Sequence, residues 1–203
     1  MAAARAGRRS VCVVCGAKHW GYEGVHFGSE GDHCLPCYNR KVAAQMGIEF
    51  HHADLQPVTL KDADGQPHTF HVQSRLAPTG LVVEAFEVED GRPGRYRFAV
   101  LGDFEADAMS LFALVYEKIR TALASKQVRR GEFGWQLELD QLVTGRIEHD
   151  PESDLRLPIV TIDGRQFPWE QLGQMLMTFE GFNLELRVRD SIEVVGGPLL
   201  DEE

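Results

Sequence analysis

The sequence predicts an α+β protein, and three stretches of the chain lead to this prediction. Residues 11–47 hold all four cysteines and end in a helical pattern. Residues 57–101 alternate apolar and polar side chains between Gly- and Pro-containing turns, which is typical of antiparallel strands. Residues 103–126 repeat apolar side chains at helical spacing. Covering a four-stranded meander with one long helix buries both apolar faces, so we expect this arrangement.

The composition is that of an ordinary globular protein. The chain has 203 residues, of which 43% are hydrophobic and 26% charged. No apolar run approaches the roughly 18 residues that a membrane helix needs. The arginines near the N-terminus precede no apolar segment of the kind found in secretory signals. We therefore expect no association with membranes and a cytoplasmic location.

Charge is distributed unevenly along the chain. Residues 1–50 carry six Lys/Arg and four Asp/Glu, whereas residues 51–203 carry fifteen Lys/Arg and twenty-seven Asp/Glu. The larger part is therefore acidic, and an acidic domain repels a phosphate backbone unless basic residues cluster on one face. The charge pattern thus favours a protein partner for this part. Residues 1–10, which are small or basic, are predicted to form a disordered arm.

The cysteines form two C-x-x-C pairs with 18 residues between them. Two intervening residues let both sulfurs of a pair reach one ion across a tight turn. Four thiolates in this pattern are typical of a closed, tetrahedral Zn²⁺ site with a structural role. Reduced thiols in the cytoplasm also favour metal over disulfides. The predicted zinc ligands are Cys12, Cys15, Cys34 and Cys37.

The residues around the cysteines predict a small module over residues 11–47. Aromatic residues and glycines over Trp20–Phe27 predict a short hairpin packed on the metal site. A helix is expected over Tyr38–Met46, with Pro36 fitting its first turn and Gly47 ending it. A module of this size buries too little apolar surface to fold without its metal.

The run C-x-x-C-G-A, then Trp20, then a C-x-x-C that opens a helix ending at Gly47, resembles treble-clef zinc fingers. The resemblance is closer to the GATA type than to the TraR type, and it implies that the four cysteines ligate zinc. DNA-reading members carry Lys/Arg-rich helices and loops. Here the helix offers Arg40 and Lys41, and the preceding loop is acidic. The resemblance therefore supports a zinc site and does not indicate a partner.

Five histidines lie in or near this module, and each could in principle bind a metal. Four thiolates already complete a tetrahedral shell. We therefore expect the histidines at the surface or beside the site, with His33 nearest to the ion because it adjoins Cys34. The five are His19, His26, His33, His51 and His52.

The remainder of the chain predicts a C-terminal strand–helix–strand unit after a further strand and a loop. The strand is expected within residues 131–142, the exposed loop over 146–157, and the unit over a strand at 159–162, a helix ending at Phe179 and a strand at 182–188. The predicted domains are a basic arm (1–10), a zinc module (11–47), an α+β domain (57–190) and an acidic tail (191–203).

Known catalytic motifs are missing from the sequence. It contains no G-x-S-x-G, P-loop or H-E-x-x-H, and the zinc site leaves no cysteine for nucleophilic work. Our first hypothesis is a non-enzymatic interaction or regulatory protein with structural zinc. Two alternatives stay open, an enzyme with a site in the C-terminal domain and a nucleic-acid-binding protein. The nucleic-acid-binding protein would use Arg5, Arg8, Arg9, Lys18, Arg40 and Lys41.

Overall fold

A computed structural model describes residues 8–132, 134–138, 142–150 and 157–195. Within these residues the protein has three α-helices and a larger number of strands, which confirms the predicted mixed α+β class. Contacts divide the chain into two compact units. Unit 1 comprises the described residues up to Thr59, His68–Lys118 and those from Ile192 onward; unit 2 comprises Leu60–Pro67 and Ile119–Ser191.

Unit 1 begins with two small hairpins and a helix, which we call the cysteine module (residues 9–47). Its hairpins are β1 (Arg9–Val11) with β2 (Lys18–Trp20), and β3 (Gly24–His26) with β4 (Asp32–Cys34). The hairpin predicted over residues 20–27 is therefore misplaced. A 3₁₀ turn at Gly21–Glu23 intervenes, because the Glu23 carboxylate accepts the Trp20 N–H at 2.8 Å and tightens the chain there.

Helix α1 (Leu35–Met46) closes the cysteine module. It begins three residues before the predicted start, with Pro36 in its first turn, where a missing N–H costs nothing. The predicted end at Gly47 is confirmed, since this residue adopts the left-handed conformation at φ 67°. The next N–H, of Ile48, donates to Ala43 O at 3.1 Å and satisfies one of the last carbonyls.

The main sheet, most of whose residues belong to unit 1, contains the predicted antiparallel meander. Its strands are β5 (Val58–Lys61), β6 (Pro67–Ala77), β7 (Gly80–Glu89), β8 (Arg92–Gly102) and β14 (Ile192–Val194), in the order β14-β8-β7-β6-β5. The last of these lies in the stretch that the sequence assigns to the acidic tail. It pairs parallel to β8, and Ile192 packs against a cluster that includes Val82 and Ala99. Three residues are too few for a strand to be recognised by its alternation.

Helix α2 (Ala108–Ala124) is the predicted long helix. It begins later than residue 103 because Asp107 caps it, its Oδ2 accepting the Ser110 N–H at 2.8 Å. The start of the helix packs closely on the end of β8, since a Cβ on Gly102 would lie 2.9 Å from a methyl of Leu111. The buried stripe of the helix is Leu111, Val115, Ile119 and Leu123.

The part of unit 2 that follows α2 contains a hairpin, a three-stranded antiparallel sheet and a short helix. The elements are β9 (Val128–Gly131), β10 (Gly134–Leu137), β11 (Arg146–His149), β12 (Pro158–Ile162), β13 (Arg165–Pro168) and α3 (Trp169–Leu176), which continues as a 3₁₀ turn over Met177–Phe179. These elements share one apolar core. Its buried members are Val128, Leu137, Ile162, Phe167 and Met175.

Two predictions for unit 2 are wrong. Residues 146–149 were expected within a loop but form the edge strand β11. The strand was not recognised because its side chains are mostly polar and show no apolar alternation. One of them, Glu148, accepts a hydrogen bond from the Thr161 hydroxyl on the neighbouring strand at 2.5 Å. Residues 182–188, expected as a strand, have no strand partner among the described residues and are exposed. An alternating pattern specifies which side chains could share a face, but a strand also needs a partner for its backbone. The strand expected within 131–142 is shorter, and Phe133 and Leu139 lie outside the described residues.

Candidate metal centre

The first cysteine pair lies in a tight turn between β1 and β2. The Cys12 carbonyl accepts the Gly16 N–H at 2.9 Å, and the Cys12 N–H donates to Ala17 O at 2.9 Å. Gly16 adopts φ 74°, a conformation that glycine reaches without strain. The turn is also tied to the second hairpin, since the Val13 N–H donates to Asp32 O at 2.9 Å. These backbone hydrogen bonds hold the turn in a conformation in which the sulfurs of Cys12 and Cys15 lie close together.

The second cysteine pair bridges the end of β4 and the first turn of α1. Cys34 is the last residue of β4, and Cys37 lies one turn later within the helix. The N-terminus of a helix carries partial positive charge and favours thiolates. The end of β4 and the first turn of α1 therefore hold the second cysteine pair near the first pair.

The four cysteines meet at one point. Their sulfur atoms all lie within 4.8 Å of one another, and Cys15 Sγ is 3.7 Å from Cys34 Sγ. Cys12 and Cys37 are buried, while Cys15 is exposed. None is joined in a disulfide. The four predicted ligands are thus positioned to bind a metal ion, and four sulfurs leave no place for substrate or water on a tetrahedral ion.

The local environment separates the acidities of these thiols. Burial acts to raise the pKa of Cys12, but hydrogen bonds from the backbone, chiefly at Cys34 and Cys15, outweigh it and lower the pKa to about 6. Burial raises the pKa of Cys37 to about 12, and hydrogen bonds among the sulfurs add to this effect. Burial likewise raises the pKa of Cys34. A cation that binds all four sulfurs must therefore displace protons from the more basic thiols.

The histidines lie outside the four-sulfur group, which is the one cluster of potential ligands that the described residues contain. His33 is buried, as its place beside Cys34 suggests, but its Nδ1 donates to Gly31 O at 3.2 Å and its ring packs edge-on against Phe27. His19 is buried as well, with Nδ1 donating to Trp20 O at 2.8 Å.

The other three histidines occupy different settings. His26 is exposed, and its Nδ1 lies within hydrogen-bonding distance of the Asp32 carboxylate, at 2.8 Å. His51 is exposed. His52 is half-buried, and burial lowers its pKa, so it accepts a hydrogen bond at Nδ1 in its neutral form.

The basic side chains proposed for nucleic-acid binding differ in their contacts. Arg9 stacks over the Trp20 ring at 4.5 Å, and Lys41 is paired with Glu30 while it lies over Phe27. Three others, Arg8, Lys18 and Arg40, are exposed. Arg5 lies outside the described residues.

The sequence analysis missed the residue that attaches the cysteine module to the sheet. Asn39 is fully buried in α1, two residues after Cys37. Its Nδ2 donates to Ser74 O at 3.0 Å, and its Oδ1 accepts the Leu76 N–H at 2.9 Å. Nδ2 also lies 2.9 Å from His52 Nδ1. The one available signal was an asparagine inside a helix, where it is a poor helix former.

Tyr22 makes a second attachment between the cysteine module and the sheet. Its ring packs edge-on against Phe86 at 5.5 Å and against His71 at 5.7 Å, on neighbouring strands β7 and β6. Burial raises the pKa of Tyr22 and lowers that of His71, which keeps both groups neutral. The cysteine module therefore packs on the sheet through an aromatic contact as well as through Asn39.

Fold and site together define an α+β protein with a four-cysteine group able to bind a metal ion. Three domains of unknown function match successive parts of the chain, DUF7685 over residues 11–49, DUF7686 over 51–124 and DUF7713 over 127–193. No curated protein and no solved structure matches it. The described residues contain no helix long and apolar enough to cross a membrane.

Proposed function

We propose that this chain is a non-enzymatic interaction protein whose cysteine module is held together by a structural Zn²⁺ ion. The observation that carries the proposal is the closed group of four sulfurs, with Cys12 and Cys37 buried. Zn–S bonds of about 2.3 Å place sulfurs about 3.8 Å apart around a tetrahedral ion. The Cys15–Cys34 separation of 3.7 Å fits that value.

The order of elements around the cysteines supports a treble-clef assignment for the module. A turn carries the first pair, the β3–β4 hairpin follows, and Cys37 lies in the first turn of α1. This is the arrangement that the resemblance to treble-clef fingers implies. Because thiols bind zinc only while they are reduced, the proposal also assigns the protein to the cytoplasm.

Interaction with a protein partner is favoured by charge and by the shape of the surface. Residues 51–203 carry twelve more acidic than basic side chains, which opposes binding to a phosphate backbone. A cavity of about 500 Å³ is lined by Glu89, Asp90, Arg92 and Pro93 at a hairpin tip. Substrate pockets are instead mostly apolar clefts with a few convergent polar groups.

Metal analysis of the purified full-length chain tests the zinc. We expect a single Zn²⁺ per chain, lost in Cys34→Ser and retained in His26→Ala, since His26 is an exposed imidazole of the same module outside the sulfur group. A chain that folds normally without metal would refute a structural role for zinc.

Affinity purification from the native host, with nuclease present and cross-linking before mass spectrometry, tests the partner. We expect a protein that is cross-linked to the acidic domain and enriched regardless of nuclease. Enrichment that nuclease abolishes would favour the nucleic-acid alternative. A turnover product formed from a host metabolite extract would favour the enzyme.

A further inference from the structure

Residues 181–190 form an exposed stretch of unit 2 that contains several large apolar side chains. Every residue in this stretch is exposed. Its four large apolar side chains are 69–73% accessible: Phe182, Leu184, Leu186 and Val188. Soluble proteins rarely leave contiguous apolar side chains uncovered unless the patch binds something.

The pattern of this stretch is that of a strand that lacks its neighbour. The four apolar residues alternate with Asn183, Glu185, Arg187 and Arg189. The guanidinium of Arg187 lies 2.7 Å from the carboxylate of Glu185, so these alternate side chains share one side of the chain. At the N-terminal end the segment is anchored, because the Phe182 N–H donates to Phe179 O and the two rings pack edge-on. Residues 183–189 thus have no strand partner among the described residues and present an apolar face.

The segment is complementary to itself in one antiparallel register. If two copies pair about Leu186, Glu185 of each lies opposite Arg187 of the other, and Leu184 lies opposite Val188. Opposite charges and apolar pairs in these positions stabilise a sheet, whereas like charges destabilise it. A register centred on Glu185 would place two carboxylates opposite each other, and one centred on Arg187 would oppose two guanidinium groups.

We propose that residues 183–189 pair with the same segment of a second copy of this chain, forming a two-stranded antiparallel contact centred on Leu186. Such a contact is isologous, so a two-fold axis relates the two copies and the contact closes at a dimer. The apolar side chains of both copies share one face, and the two Glu185–Arg187 pairs span the other. Charge complementarity indicates that the partner is a second copy of this chain, because the same segment supplies both the glutamate and the arginine of each Glu185–Arg187 pair.

Charge reversal separates this register from other modes of association. Glu185→Arg and Arg187→Glu each oppose like charges twice, and we expect either to weaken the dimer by about 10- to 100-fold in sedimentation equilibrium. An equimolar mixture of these two variants restores both opposite-charge pairs, so it is expected to form a heterodimer. The double variant E185R/R187E is expected to dimerise like the parent. Glu180→Arg, an exposed reversal outside the segment, is the matched control.

These substitutions are at exposed positions, and unchanged thermal unfolding would establish that each variant folds. A monomeric parent would overturn the proposal, as would a dimer that both single variants leave intact. Failure of the mixture to restore the dimer would also overturn it, because the register predicts that rescue. Dimerisation is expected to persist after metal chelation, which separates this proposal from the zinc proposal.

Discussion

The side-chain amide of Asn39 donates to the backbone carbonyl of Ser74 over 3.0 Å and so joins the cysteine module to the main sheet. Since its Oδ1 accepts the Leu76 N–H as well, one amide replaces the peptide group that a neighbouring strand would supply to β6. Because Asn39 follows Cys37 by two residues in α1, its amide links the helix that carries the second cysteine pair to β6.

Replacing Asn39 with alanine is therefore expected to destabilise unit 1. The change leaves the Ser74 carbonyl and the Leu76 N–H buried without their partner, at about 1–3 kcal/mol for each group. Urea unfolding followed by circular dichroism measures the loss. Gln45→Ala removes an exposed amide from the same helix and is expected to cost little. Equal stabilities of the two variants would contradict the bridging role of Asn39.

The fold of unit 1 was largely predictable because its signals are local. The Gly47 stop of α1, the alternation over residues 57–101 and the stripe of α2 each depend on residues close in sequence. Strand β14 was missed because its pairing with β8 joins residues about ninety positions apart, with Ile192 opposite Ala99. Long-range pairing leaves no periodic trace in so short a strand.

The four-cysteine group was predictable because cysteine spacing limits which sulfurs can meet. The attachments of the module were not, because Asn39 and Tyr22 are ordinary residues whose partners lie on distant strands. In unit 2, β11 was mistaken for loop because its interior side chain, Glu148, is polar and pairs with Thr161. Burial of a polar group depends on its partner, which a single segment does not reveal.

Asp163 is expected to be the most sensitive polar residue of unit 2. It lies in the β12–β13 turn at φ 47°, and its carboxylate accepts the N–H groups of Gln127 at 2.6 Å and Val128 at 3.0 Å. Asp163→Asn keeps the turn but loses a charged acceptor, so we expect about 1–3 kcal/mol of destabilisation in thermal or urea unfolding. Asp90→Asn, at the matching φ of 50° in an exposed turn, is the control. If Asp163→Asn and Asp90→Asn were equally stable, the expected role of Asp163 would be contradicted.

Glu148 is expected to make unit 2 sensitive to acid. Burial acts to raise its pKa, but hydrogen bonds from Thr161 and the charge of Arg146 outweigh it and hold the pKa below the usual 4.5. A carboxyl group whose pKa is lower in the folded state than in the unfolded state stabilises the folded protein at pH values above its unfolded-state pKa. This contribution to stability is lost as the pH falls through the folded-state pKa. The parent should therefore exceed Glu148→Gln in melting temperature at neutral pH, and the difference should shrink below about pH 4.5.

Glu132→Gln, at an exposed position of the same unit, serves as the control for that series. Its melting temperature should follow the parent at every pH. A Glu148→Gln variant that matched the parent at neutral pH would show that the hydrogen bonds to this carboxylate contribute nothing to stability.

Hydrogen exchange of the full-length chain, with and without a zinc chelator, tests the central claim most directly. If a structural ion orders the cysteine module, chelation should remove protection throughout α1. The Leu76 amide should lose protection in parallel because Asn39 then leaves β6. Amides of unit 2 such as Val160 should keep theirs, and added zinc should restore the parent pattern. Unchanged protection in α1 of a chain shown to have lost its metal would contradict the account.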